Sequence, residues 1–464
     1  MSRESFSESV SRSPTPKSSR QIRRRAFLGG AALSVALPTL SERVLGANDK
    51  VRLGFIGVGN KGRHALGVFG GECADLSEIV SICDVHGGSL ASAKKQLKDK
   101  NVAVHRDYRA LLDQKDVDAV VISTPDHWHA LQTIHSAAAG KDLYVEKPLS
   151  LRLEEGRAMV RAARRYNRVA QVGLQQRAGN NPDGLFFKAV NIIRGGEIGK
   201  VSMVKTWYVA NRIPGLGNPP NEDPPKELDW NEWLGPAPYH EYNKNRCLYN
   251  FRWFWDYSGG ITTDWGTHLI DIVQWAMDGQ QPGETRPDVV GALPIAAAAF
   301  GGKLVLEDNR ETPDTVSAVV QYKNFLLEFE HRAANGRLQN GRRYGIEFYG
   351  SKGTLIVDRT TLHLSSEGGK GENLAVERRE KTELHRPREH MRDFLRCCRT
   401  REKPACDIEI GHRSSSTSQL INVAFHTRQS LHWDAGQERI TNLPELNDKL
   451  KANYRKPWSL PRID

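Results

Sequence analysis

Between Val51 and Gly173 short apolar runs alternate with amphipathic stretches. The runs VRLGFI (51–56), SEIVSICD (77–84), VAVHRDY (102–108), DAVVISTP (118–125), DLYVEKP (142–148) and RVAQVG (168–173) are rich in β-branched residues and bounded by turn residues, which predicts strands. HALQTIHSAAAG (129–140) and LEEGRAMVRAARRY (153–166) carry apolar positions at helical spacing. Strands and helices alternating in this way predict a parallel, doubly wound sheet, with ligands at the carboxyl ends of its strands.

From residue 174 the pattern changes. GLFFKAVNIIRGGEIGKV (184–201) begins as a helix, VSMVKTWYV (201–209) alternates, and NRIPGLGNPPNEDPPKELDW (211–230) packs five prolines into a loop. TVSAVVQY (315–322), FLLEFEHR (325–332), YGIEFYG (344–350) and GTLIVD (353–358) have strand character, and HMRDFLRCCRT (390–400) and SSSTSQLINVAFHTRQS (414–430) are helical. The expected fold class is α/β: an N-terminal Rossmann parallel sheet (48–173), then an α+β domain (174–464) with a large, mostly antiparallel open sheet. The charge-rich stretch 366–390 reads as solvated surface.

Residues 1–47 differ from both. A Ser/Thr/Arg-rich leader precedes Arg24-Arg25, then Ala26, Phe27, Leu28 and an apolar run to Leu40 that is too short to span a bilayer as a helix. This resembles a twin-arginine export signal and implies an extracytoplasmic, periplasmic protein that meets the membrane only in transit. The leader carries eight Lys or Arg against three Glu, so it holds much of the formal charge of +11. No basic stripe interleaved with aromatics remains in the body, so nucleic acid is not an expected partner. The six cysteines have no chelating or disulfide-framework spacing, and no metal set is expected.

Candidate chemistry begins at the first strand, which ends in Gly57-Val58-Gly59-Asn60-Lys61-Gly62. Gly57 permits the tight turn, Gly59 lets a pyrophosphate approach the backbone, and Gly62 lets the next helix pack on the strand. Asp84 ends the second strand, where an acid accepts from the adenosine ribose hydroxyls and repels a ribose phosphate; this favours NAD over NADP. Its distance from the glycines is longer than usual, and a longer helix or loop containing Gly70-Gly71 would absorb it.

In the second half, RWFWDYSGGITTDWGTHLIDIVQWA (252–276) places Asp264 and His268 four apart on one expected helix, with Asp271 three further on. A carboxylate one turn from a histidine can fix its tautomer for proton transfer. Arg252, Trp253, Trp255 and Tyr257 read equally well as a sugar-binding wall and as an ordinary strand core.

GFIGVGNKG, STPDHWHA, YVEKPLS and AQVGLQQR, followed by DWGTH, are similar to the motifs of the Gfo/Idh/MocA oxidoreductases in order and spacing. The resemblance implies that Lys147 of Glu146-Lys147-Pro148 reaches both nicotinamide and substrate, that the bond before Pro148 is cis, and that Asp264 and His268 act with Lys147 in catalysis. It places Thr124, Pro125, His129 and Glu146, with Asn60 and Lys61, at the cofactor, and Arg177 and Trp253 at the substrate. The expected reaction is hydride transfer between a secondary hydroxyl of a sugar or cyclitol and a tightly held NAD. His268 or Lys147 would serve as base, and Asp264 would orient His268. A redox-neutral, NAD-dependent glycosidase is the alternative, and a nucleotide-binding sensor is a third. The resemblance and the open sheet face imply a dimer or tetramer.

Overall fold

A computed structural model of the chain describes residues 49–98, 101–279, 292–367, 373–378 and 387–463. Six parallel strands come first: β1 (Val51–Ile56), β2 (Ser77–Cys83), β3 (Ala103–His105), β4 (Ala119–Ile122), β5 (Asp142–Val145) and β6 (Ala170–Val172). Their order is β3-β2-β1-β4-β5-β6, so the winding reverses between β1 and β4, where such sheets open a ligand crevice. Strands β4 and β5 are buried at every position, which explains their unbroken apolar runs. The helices are α1 (Asn60–Gly67), α2 (Gly87–Gln96), α3 (Tyr108–Leu112), α4 (Asp126–Ala138) and α5 (Leu153–Arg165). Helix α1 runs on into a π-helical turn, Val68–Glu72, that contains Gly70 and Gly71 and takes up the long interval to Asp84.

The second half supplies α6 (Leu185–Arg194), β7 (Val201–Val209), α7 (Trp230–Leu234), α8 (Gly260–Asp264), α9 (Gly266–Ala276), β8 (Pro294–Gly302), β9 (Thr315–Tyr322) and β10 (Leu326–Arg332). It continues with β11 (Tyr344–Gly350), β12 (Gly353–Val357), β13 (Thr361–Ser366), β14 (Asn373–Arg378), α10 (Arg388–Thr400), α11 (Ile408–Thr427), β15 (Leu431–Asp434) and β16 (Arg439–Ile440). These strands form one sheet ordered β14-β13-β12-β11-β7-β10-β9-β8-β15-β16. Only β7 and β10 pair parallel within it, so it is mostly antiparallel, as the sequence predicts. One face packs Val204, Phe329, Val320 and Phe348 against Leu269, Ile272 and Val273 of α9 and Ile421 of α11. The other face carries Lys205 between Glu328 and Glu330, with Phe300 and Val319 exposed nearby. Most of 366–390 lies outside the described residues.

The dinucleotide half draws core from the chain's far end. Phe394 of α10 stands edge-on to Phe69 and Tyr144, and Met391, Cys397 and Cys398 join the same cluster as β1. His390 donates from Nε2 to the Val172 carbonyl (2.9 Å), and Gln171 Nε2 donates to the His390 carbonyl (2.7 Å). Past α11, Trp458 meets Trp128 edge-on at 5.0 Å, and the Tyr454 hydroxyl donates to buried Glu155 at 2.7 Å.

Candidate active site

The glycine loop between β1 and α1 behaves as its sequence requires. Gly57 has φ +84°, and a Cβ there would lie 2.8 Å from the Thr124 backbone nitrogen. A Cβ on Gly62 would lie 2.1 Å from the Gly57 carbonyl oxygen, so only glycine lets α1 approach β1. Gly59 has nothing within 4 Å of that position and faces the cleft. Asp84 closes the other side. Its carboxylate accepts from Val58 N (2.8 Å) and His86 N (2.9 Å), and burial raises its pKa despite those bonds. The buried Ser123 hydroxyl lines the same space and has no partner among the described residues. An open glycine, an unpartnered hydroxyl and an acid at the end of β2 fit a dinucleotide, with Asn60 and Lys61 at the start of α1 beside it.

Two further turns, after β4 and β5, complete this wall. Thr124 and Pro125 line the cleft, and the Thr124 hydroxyl donates to Gln132 Oε1 at 2.7 Å. His129 is buried behind them. Its two ring nitrogens lie 2.9 Å from the carbonyl oxygens of Pro148 and Thr124, so it ties the two turns together instead of facing the cofactor space. Glu146 pairs with Lys61 (3.3 Å) and accepts from Gln175 (2.9 Å). The Lys147–Pro148 bond is cis, as expected from the resemblance.

Across the cleft stand α8 and α9. Lys147 Nζ donates to the Asp264 carbonyl at 2.9 Å and pairs with its carboxylate, whose other oxygen lies 3.5 Å from Arg252 Nε. Burial pushes the Asp264 carboxyl up, but the Lys147 and Arg252 charges outweigh it and hold the group below the usual carboxylate range. Burial, reinforced by the cations Lys147, Arg359 and Lys61, pushes His268 well below the ordinary histidine range, so its imidazole is neutral at neutral pH. Its Nδ1 has no hydrogen-bond partner among the described residues.

Besides His129, three expectations need correction. Asp264 and His268 do not share one helix: α8 ends at Asp264 and α9 begins at Gly266, and the carboxylate serves Lys147 and Arg252 instead of orienting His268. Arg177 does not reach the substrate space. It is buried in a two-pronged pair with Asp271 (2.8 and 2.9 Å) and stacks over Trp275, because a guanidinium taken out of water needs a carboxylate. Trp253 is core, with the guanidiniums of Arg212 and Arg310 over its ring at 4.8 and 5.0 Å. The aromatic lining comes instead from Tyr249, Phe251, Trp265 and Trp233.

Sequence reasoning missed Arg359 and Gln176. Arg359, on the turn between β12 and β13, stands over Trp265 and Tyr344, and with the Gln176 amide turned to suit its neighbours, Gln176 accepts from Arg359 Nε (3.1 Å) and donates to the His268 carbonyl (2.8 Å). Nothing in the local sequence pattern marks a single arginine nearly a hundred residues from His268.

The glycine loop, Asp84, Lys147, Asp264, His268, Gln176 and Arg359 border one cleft of about 1430 Å³, larger than a typical single-ligand pocket and so roomy enough for a dinucleotide and a second molecule. Residues 51–174 match the model of an oxidoreductase family's NAD-binding Rossmann fold, and residues 201–291 and 373–460 match that family's C-terminal alpha/beta domain. Over 195 residues the chain is 31% identical to glycosyl hydrolase family 109 protein 1 of Shewanella sp. (strain MR-4), and 32% identical to a family 109 protein of Shewanella baltica (strain OS185). Each match takes in 39% of this chain and 41% of the relative, so the chain spans about two fifths of the curated relatives it matches. In fold the protein is similar to the WlbA dehydrogenase of Bordetella pertussis in complex with NADH and UDP-GlcNAcA (TM-score 0.59, 20% identity, 83% of this chain and 99% of that one). It is likewise similar to a levoglucosan dehydrogenase in complex with NADH and L-sorbose (TM-score 0.62, 17% identity, 83% and 99%). With both halves of its fold matched and the residues of its motifs gathered at one cleft, the chain belongs to the Gfo/Idh/MocA oxidoreductase family.

Proposed function

We propose that the protein is an NAD-dependent oxidoreductase acting on a secondary hydroxyl of a sugar or cyclitol. The observation that carries this reading is the meeting of Lys147, from the Rossmann half, with Asp264 and His268, from the second half, at one cleft. NAD, when bound along the glycine loop, supplies the hydride acceptor. Gly57 and Gly59 give the pyrophosphate its approach, and Asp84 addresses the ribose, which favours NAD over NADP. Lys147 keeps its ammonium beside the Asp264 carboxylate and directs it at the reacting oxygen, while neutral His268 takes the hydroxyl proton. The test is to denature the purified protein, look for released NAD(H), and screen sugars for reduction of the bound cofactor. A protein that holds no nicotinamide and reduces none with any sugar would overturn the reading.

The similarity to glycosyl hydrolase family 109 proteins supports a second reading, in which the same cleft cleaves a glycosidic bond with no net redox change. Aryl glycosides separate the two: aglycone release without net cofactor reduction favours cleavage. The twin-arginine leader, which lies outside the described residues, supports export, and the exported enzyme would carry its cofactor with it. Replacing Arg24 and Arg25 by lysine should trap the protein in the cytoplasm; unchanged export would remove that part.

A further inference from the structure

We propose that the sugar accepted by this cleft carries an oxyanion group, a carboxylate or a phosphate, and that the Arg359 guanidinium receives it. The inference rests on the oxidoreductase reading and narrows it to acidic sugars.

Arg359 borders the cleft together with His268, its guanidinium carbon over the rings of Trp265 (4.8 Å) and Tyr344 (5.6 Å). Burial lowers its pKa, which marks a cation short of solvent. Yet no carboxylate pairs with it among the described residues, and Gln176 engages only Nε. Among the described residues its two terminal amino groups therefore have no acceptor. A guanidinium presents those groups as a planar fork that matches the two oxygens of a carboxylate or phosphate.

The surrounding charges lead to the same place. Lys61, Lys147, Arg252 and Arg359 line the cleft, and among the described residues the carboxylates that pair with them are Asp264 and Glu146. Asp264 is engaged by Lys147 and Arg252, and Glu146 by Lys61 and Gln175. Of these four, Arg359 is the cation left over among the described residues, where the Nη1 of Arg252 is also buried without an acceptor. A partly buried charge is costly unless paired, so a ligand that brings the counter-charge gains what the protein leaves open. The glycine cradle for the cofactor pyrophosphate belongs to the β1–α1 loop, whereas Arg359 belongs to the turn between β12 and β13, beside His268 and Trp265.

The experiment measures equilibrium binding of D-glucuronate, glucose 6-phosphate and glucose to the purified holoenzyme, and records bound-cofactor absorbance separately. One or both anionic sugars should bind roughly tenfold more tightly than glucose, with a preference that weakens as salt is added. The two anions tell carboxylate from phosphate. R359Q should cut the ratio of anionic to neutral affinity by roughly tenfold, and R359K should restore part of it without the fork. Equal binding of all three sugars, binding of none, or an unchanged ratio in R359Q overturns the proposal. Should R359Q fail to fold, R359K and the wild-type salt dependence decide it. An anionic sugar that binds without changing the cofactor counts against oxidation and leaves the anion site standing; glucose oxidised with no anionic preference does the reverse.

Discussion

Lys147 and Asp264, 117 positions apart, form an ion pair across the boundary between the two sheets, with the lysine also bonded to the aspartate's own carbonyl at 2.9 Å. The pair joins the turn after β5 to the end of α8. It thus sets both the position of the ammonium and the distance between the cofactor wall and the substrate wall.

Asp264→Asn should therefore lower turnover by about 10²–10⁴-fold, and Lys147→Ala should do the same. The double variant should be little worse than either single one, because the two act as a unit. Single-turnover rates on holoenzyme check this, with NAD released on denaturation confirming that the cofactor is still held. Strictly additive losses would mean the residues act separately.

His268 is held neutral by burial and by its cationic neighbours, so the acid limb of kcat/KM should not fall at the ordinary histidine value near 6.5 but at lower pH. His268→Gln should lower turnover by about 10²-fold or more at every pH. A wild-type profile that halves near pH 6.5 through a group lost in His268→Gln would contradict the assignment.

Stability should follow the same sign. His127 and His331 are both pushed down to about 3 by burial, so the folded state excludes protons that the unfolded chain binds below 6.5. Their contribution is fully present above pH 6.5 and drains away as pH falls toward 3. Denaturant midpoints measured across that window should drop with acid.

Arg177→Met should read out in stability, not in KM. It strands Asp271, buried with Ser414 as its remaining side-chain donor, at a cost of about 3–5 kcal/mol. Chemical denaturation of the variant beside the wild type tests this. A raised KM at unchanged stability would return Arg177 to the substrate.

Asp84→Asn removes the charge that opposes a ribose phosphate while keeping one oxygen for Val58 N or His86 N. NAD should weaken and NADP strengthen, closing the gap between them by roughly tenfold. Titration of the apoprotein with each dinucleotide measures the ratio.

The parallel half was legible because its signals are local: β1 begins and ends where its apolar run does, and the glycines fix their own turn. The second half was legible only in part. Strand β8, PIAAAAFGG, has little β propensity; it is a strand because small Ala297 and Ala299 let the cluster containing α11 pack closely over the sheet. The site behaved likewise. Lys147, Asp264 and His268 stand in motifs, whereas the fate of Arg177 was decided by Asp271 and Ser414, contacts that no spacing reports.

The far-end residues that fill the dinucleotide core also fix an order of events during synthesis. A nascent chain can have all six parallel strands outside the ribosome and still lack Met391, Phe394 and Trp458, which seal that sheet and its α4 flank. The packing around the nucleotide sheet is therefore complete only once translation has passed Trp458. A chain that stops short of α10 lacks part of the core behind β1 and β5, so cofactor loading waits on a segment that lies far beyond the last parallel strand.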